Sequence, residues 1–246
     1  MDDARTVCDE LLARILEMGS EESRAGMARY GINVENAAGV SVYDLRALAK
    51  PYRRDHALAT ALWATGQHEA RLLAAFVDDP ACVTSEQMEA WAADFDSWDL
   101  CDQACTDLFY RAPPAWDKAA EWAERDDEWV KRGGFAIMAG LAWHDKIAPD
   151  EAFAPFFPLI EREATDPRNF VKKAVNWALR NIGKRNAALN AAAVESAERM
   201  LAAHGGPDAR GGTAEDRAAR WVAKDALREL TSEKVRARVG LPPPAS

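Results

Sequence analysis

Helix breakers interrupt the chain at short, regular intervals, and between them apolar residues recur every three to four positions. Gly19-Ser20, Gly39, Pro51, Gly66, Asp78-Asp79-Pro80, Pro113-Pro114, Pro149, Asp166-Pro167, Gly183 and Gly205-Gly206-Pro207 punctuate it. About a dozen segments of roughly 10–17 residues lie between these points, the length of ordinary helices. No stretch alternates apolar and polar residues long enough to make a strand. Ala is abundant, whereas Val and Ile are sparse. The spacing therefore predicts an all-α fold.

One internal echo narrows the architecture. Asp126-Asp127-Glu128-Trp129-Val130-Lys131-Arg132 resembles Asp166-Pro167-Arg168-Asn169-Phe170-Val171-Lys172-Lys173, with the aromatic-Val-Lys-basic core offset by 41 residues. That period suits HEAT and armadillo repeats. An irregular HEAT-like helical-repeat solenoid with a concave groove is expected. No break divides the chain cleanly. Residues 1–232 read as a single α-solenoid domain, and 233–246 as a C-terminal tail whose Pro-rich end is disordered.

Nine Trp and eight Phe need burial, which excludes disorder as the main state. The longest uncharged runs fall short of the ~18 residues that a membrane span needs. The N-terminus, Met1-Asp2-Asp3-Ala4-Arg5, lacks the basic and apolar regions of a signal peptide, so a cytoplasmic location is expected. Cys8, Cys82, Cys101 and Cys105 form no CxxC pair, and the four His show no ligand spacing, so neither a metal nor a cofactor is expected.

The net charge of −9 argues, as a single number, against a nucleic-acid partner. Resolved along the chain it says something else. Asp78 to Glu128 holds 15 acids and 3 bases, which leaves the remainder slightly basic. Arg168–Arg185 holds six bases and no acid, and Arg46, Lys50, Arg53 and Arg54 form a second basic group.

Three elements carry candidate chemistry. Laid out at about 100° per residue, the helix from Asn169 places Val171, Val175, Ala178 and Ile182 on a core face. Lys173, Trp177, Arg180 and Lys184 fall on the opposite side, an aromatic within a basic stripe suited to phosphates and a sugar or base. A second layer of helices burying Trp177 is the competing explanation. The related helix after Asp126 sets Arg132 opposite Val130, Gly134, Ile137 and Leu141, with Trp129 flanking. In a solenoid this puts Arg132 and Lys173 on a common surface. Gly133 and Gly134 each cost about 1 kcal/mol in helix propensity and imply close approach by a helix or ligand. In Asp96-Ser97-Trp98-Asp99-Leu100-Cys101-Asp102, Asp96 or Ser97 can cap a helix. Trp98 and Asp102 then stack one turn apart, a small acidic site beside an aromatic.

Together these elements resemble the AlkD-like DNA alkylation repair family, the HEAT-like alkylpurine DNA glycosylases. The residues that carry the resemblance are Ser97-Trp98-Asp99-Leu100-Cys101-Asp102, Trp129-Val130-Lys131-Arg132 and Phe170-Val171-Lys172-Lys173-Ala174-Val175-Asn176-Trp177-Ala178-Leu179-Arg180, with Arg29-Tyr30-Gly31 and Leu45-Arg46-Ala47-Leu48 in the N-terminal part. The match runs from about residue 10 to about 230.

The resemblance implies a DNA glycosylase that removes cationic alkylated purines such as N3-methyladenine and N7-methylguanine in base excision repair. It implies Asp102 as the catalytic carboxylate and Trp98 and Trp177 as aromatics flanking the lesion's deoxyribose. Arg132 is the basic residue beside them. Tyr30 is a weaker implied candidate on the same concave surface, and Lys172, Lys173, Arg180 and Lys184 of the basic segment are the expected DNA contacts. The partner would be double-stranded DNA carrying alkylated bases, bound by a monomer. A non-catalytic HEAT-like module that binds DNA structures or a protein partner is the alternative.

Overall fold

The computed structural model describes residues 2–243. Among them fourteen α-helices and no strand are found, joined by short 3₁₀ turns and one π-helical turn. No helix among these residues is long and apolar enough to cross a membrane. The described chain parts into two compact units between Ala115 and Trp116, just after Pro113-Pro114.

The first unit holds α1 (Asp2–Met18), α2 (Glu21–Arg29), α3 (Val42–Ala49), α4 (His56–Ala64), α5 (His68–Val77), α6 (Ser85–Ala92) and α7 (Trp98–Gln103). Local chemistry starts several of these helices. Ser20, Ser41, Asp55 and Thr84 each accept a bond from the backbone N–H three residues on, satisfying one donor of the first turn. Leu45, Leu58, Leu62, Leu72, Leu73 and Met88 make its core. Trp63 stacks on Trp91 at 3.9 Å between ring centroids, and its indole N–H reaches Asp94 at 2.8 Å.

The second unit holds α8 (Ala115–Ala123), α9 (Glu128–His144), α10 (Phe156–Glu163), α11 (Asn169–Gly183), α12 (Ala187–Ala203), α13 (Ala214–Leu230) and α14 (Glu233–Arg238). Helix α14 lies within the stretch expected as tail, and it buries Val235. Residues 244–246 of the Pro-rich end lie outside the described residues. The echoed segments pack against each other. Trp129 at the start of α9 meets Phe170 at the start of α11, ring centroids 5.1 Å apart, and the Arg168 Nη1 donates to the Asp126 carbonyl at 2.7 Å.

Three buried Asn side chains tie α11 and α12 to their neighbours. The Asn176 Nδ2 donates to the Val222 carbonyl of α13 at 3.0 Å, and the Asn181 Nδ2 to the Ala139 carbonyl of α9 at 3.3 Å. From α12, the Asn190 Nδ2 reaches the Gly183 and Leu230 carbonyls. Gly134 explains itself: a Cβ there would stand 2.5 Å from the Ala123 N and 2.9 Å from the Ala119 carbonyl. The close approach is therefore by helix α8.

Candidate functional site

In the first unit, the candidate residues gather on α7 and the segment after α2. Trp98 is half-buried, and its indole Nε1 donates to the Tyr30 carbonyl at 2.9 Å. Tyr30 itself is 75% exposed, so the bond fixes the ring of Trp98 through the backbone and leaves the phenol in solvent. A second tether lies beside it, where the Asn33 Nδ2 donates to Asp96 at 2.8 Å. Asp102 is half-buried one turn after Trp98, and its carbonyl accepts from the Thr106 hydroxyl at 2.7 Å.

Helix α7 does not continue as an α-helix. Ala104–Leu108 forms a π turn directly after Gln103. Such wide turns recur at functional sites because they admit one extra residue per turn. Here the turn lies against the core: Leu100, Cys101, Ala104, Cys105, Leu108 and Phe109 are all buried. Arg46 clamps the turn from α3. It grips Asp107 with both Nη atoms, at 2.8 and 2.6 Å, and reaches Gln103 at 2.9 Å. Arg46 is thus a structural member of its basic group, whereas Lys50, Arg53 and Arg54 are exposed.

The start of α7 departs from the expected cap. Ser97 stands at the cap position, but its hydroxyl donates to Asp99 at 2.8 Å instead of accepting from the helix. Asp99 is buried and also meets the His68 Nε2 at 2.9 Å. Burial alone would lower the pKa of His68. The bond and charge of Asp99, with Glu69 and Asp96 behind it, outweigh that and hold the imidazole above its ordinary value. The neighbouring Glu69 carboxylate accepts from the backbone N–H groups of Ala38, Gly39 and Val40. His68 and Glu69, at the start of α5, therefore anchor both α7 and the loop before α3. Sequence reasoning missed this anchor. Ser97 and Asp99 stood inside a quoted motif, but no local spacing links them to His68, 31 residues away.

In the second unit, the α11 core face is as the helical layout requires: Val171, Val175, Ala178 and Ile182 are fully buried. The opposite stripe is more mixed. Lys173 is exposed and Trp177 is half-buried. The ammonium of Lys172 lies 5.3 Å from the ring centroid of Trp221. Arg180 and Lys184 are ion-paired to Glu229 of α13, the Lys184 contact at 2.8 Å, with Asp225 3.9 Å from Arg180. Burial disfavours the charge of Glu229, but the Lys184 and Arg180 bonds outweigh it and hold its carboxyl below the ordinary range. The stripe is acid-free in sequence but not in space.

Arg132 also corrects the expectation. It is 6% exposed, and its Nη1 donates to the Phe170 carbonyl at 2.6 Å, with the guanidinium 5.9 Å from the Phe170 ring centroid. Val130 through Ala142 are all buried, so α9 has no open face in that stretch, and Arg132 and Lys173 share no common exposed surface. Among the described residues, no group of three or more His, Cys, Asp or Glu side chains is arranged to hold a metal ion.

A family model described as DNA alkylation repair enzyme matches residues 11–230. The chain belongs to the DNA alkylation repair enzyme family. One solved structure aligns over 97% of this chain and 98% of its own, with a TM-score of 0.73 and 19% identity. It is described as a member of a new family related to the HEAT-like repeat DNA glycosylases with affinity for branched DNA structures. That likeness makes the fold HEAT-like. A designed armadillo repeat protein in complex with a (KR)4 peptide also matches, at 16% identity over 80% of this chain and 89% of its own, with a TM-score of only 0.31. A comparison with curated proteins returns no match.

Proposed function

We propose that this DNA alkylation repair family member is a DNA glycosylase that hydrolyses the N-glycosidic bond of cationic alkylated purines, N3-methyladenine and N7-methylguanine. The observation that carries the reading is Trp98. Its indole N–H is tied to the Tyr30 carbonyl, which holds the ring half-exposed one turn before the half-buried Asp102.

An alkyl group on N3 or N7 leaves the purine with a formal positive charge, so the base departs without protonation. The remaining barrier is positive charge developing on the sugar, as in glycoside hydrolysis. One carboxylate near C1′ stabilises that charge and orients the attacking water. Indole faces favour a cationic sugar or base. In this reading Asp102 is the carboxylate and Trp98 the indole beside the deoxyribose, and Trp177 is a candidate aromatic contact of the second unit. Lys173 contacts backbone phosphate, which positions the duplex without reading sequence. Arg132, with an Nη donor committed to the Phe170 carbonyl, acts as a positioning residue for the first turn of α11.

A second reading is a non-catalytic module that binds branched DNA. Its support is the solved HEAT-like structure with affinity for branched DNA structures that aligns over 97% of this chain. Release of 7-methylguanine from methylated duplex DNA separates the two. Asp102→Asn should retain duplex binding and lose on the order of 10²–10³ in excision rate, the usual worth of one electrostatic stabiliser. Undiminished excision by that variant defeats the assignment of Asp102. A wild-type protein that binds branched DNA and releases no base supports the second reading.

A further inference from the structure

In the second unit, a cleft of about 220 Å³ opens where α9 ends beside the last turn of α11, lined by Trp143, Lys146, Asp150, Lys184, Arg185 and Arg238 among others. Its charges are unbalanced. Arg185 spends its Nη donors on three backbone carbonyls: Nη1 on Ala142 at 3.0 Å and Asp145 at 2.5 Å, Nη2 on Ala148 at 3.0 Å. Its guanidinium also lies 4.3 Å from the Phe153 ring centroid. Carbonyls and a ring orient a guanidinium without cancelling its charge. Lys146 and Arg238 lie 5.5 and 4.8 Å from the ring centroid of Trp143, and neither has a carboxylate partner among the described residues. Trp143 is 44% exposed between them.

The lining's anionic side is weak. Asp150 accepts from the Asn186 Nδ2 at 2.8 Å, and the charge of Lys184 is met by Glu229. Three cations thus converge on one cleft whose lining has a single carboxylate. Desolvation, and then the charges of Arg185 and Arg238, hold the Lys146 ammonium below its ordinary pKa. Such a cluster repels itself until an anion enters, and a multiply charged tetrahedral oxyanion answers all three at once.

We propose that this cleft binds a phosphate group, with Arg185 as its fixed cation and Lys146 and Arg238 closing on it. The proposal does not rest on the glycosylase reading, since none of these residues is Asp102, Trp98 or Trp177. The phosphate belongs either to a polynucleotide backbone or to a free phosphate compound.

The test titrates inorganic phosphate into the full chain by calorimetry at constant ionic strength in chloride, and labelled duplex DNA in parallel. The comparison is Lys146→Ala with Arg238→Ala, two exposed side chains whose removal leaves the core intact. Saturable phosphate binding that weakens at least about tenfold in the double variant is expected, a change of about 1.4 kcal/mol. Loss of duplex affinity with a shallower salt slope in the same variant identifies the backbone as source. Unchanged duplex affinity identifies a free phosphate compound. Asp102→Asn should bind phosphate like the wild type, whatever it does to excision. Indistinguishable behaviour of wild type and double variant in both titrations overturns the proposal.

Discussion

The His68 imidazole and the Asp99 carboxylate meet at 2.9 Å, only 4% and 6% exposed, immediately beside Trp98. The pair makes stability depend on pH. His68 has a raised pKa in the folded chain, against an unfolded value of about 6.5. Its contribution is therefore fully present below pH ~6.5 and is lost as pH rises through the raised folded value. Urea unfolding of wild type and His68→Gln across pH 6 to 9 should show the gap between them shrinking with pH. A constant gap would mean that the charged pair does not form.

DNA affinity should respond in opposite directions to two charge changes in the second unit. Lys173 is exposed, and its replacement by Ala should reduce the slope of log K against log salt by about 1. Glu229→Gln removes the carboxylate that neutralises Arg180 and Lys184, so duplex binding should tighten and the slope steepen. Binding isotherms at several salt concentrations check both. A neutral Glu229→Gln variant would place Arg180 and Lys184 away from DNA.

Gly134→Ala should destabilise the protein although Ala is the better helix former. Propensity favours Ala by about 1 kcal/mol. The added Cβ would meet the Ala123 N at 2.5 Å and the Ala119 carbonyl at 2.9 Å, both backbone atoms that move only with helix α8. Overpacking of this kind costs about 1–3 kcal/mol or more and should win. Thermal denaturation gives the sign directly.

Asn176→Ala should cost about 0.5–1.5 kcal/mol, because the buried hydrogen bond from its amide to the Val222 carbonyl is lost. Chemical denaturation measures it. Lys173 on the exposed side of the same helix serves as the control, with an expected change within about 0.5 kcal/mol.

The fold was largely legible because its signals are local. Apolar spacing and the breakers at Gly39 and Pro80 act within a few residues. The echo of Trp129 in Phe170 was legible as a helical repeat; that the two rings meet at the starts of α9 and α11 only the structure shows. The candidate site was legible only in part. Trp98 and Asp102 sit one turn apart on α7, but the bond that orients Trp98 comes from Tyr30, 68 residues away. Ser97 looked like a helix cap and instead serves Asp99.

From its sequence alone, this chain is determined to be helical, with its breaks set by Gly and Pro and the core face of α11 by periodicity. Only the tertiary structure decided what covers the helix faces. A helical layout places Arg180 and Lys184 opposite the α11 core but cannot see Glu229, which α13 brings to them across 45 and 49 residues. It places Arg132 opposite the core of α9 but cannot see the Phe170 carbonyl that buries it. The physical reason is range. Backbone hydrogen bonding and periodic burial are properties of neighbours in sequence, whereas charge neutralisation and desolvation depend on whichever helix packs alongside, and so does the freedom of a cation to meet a phosphate.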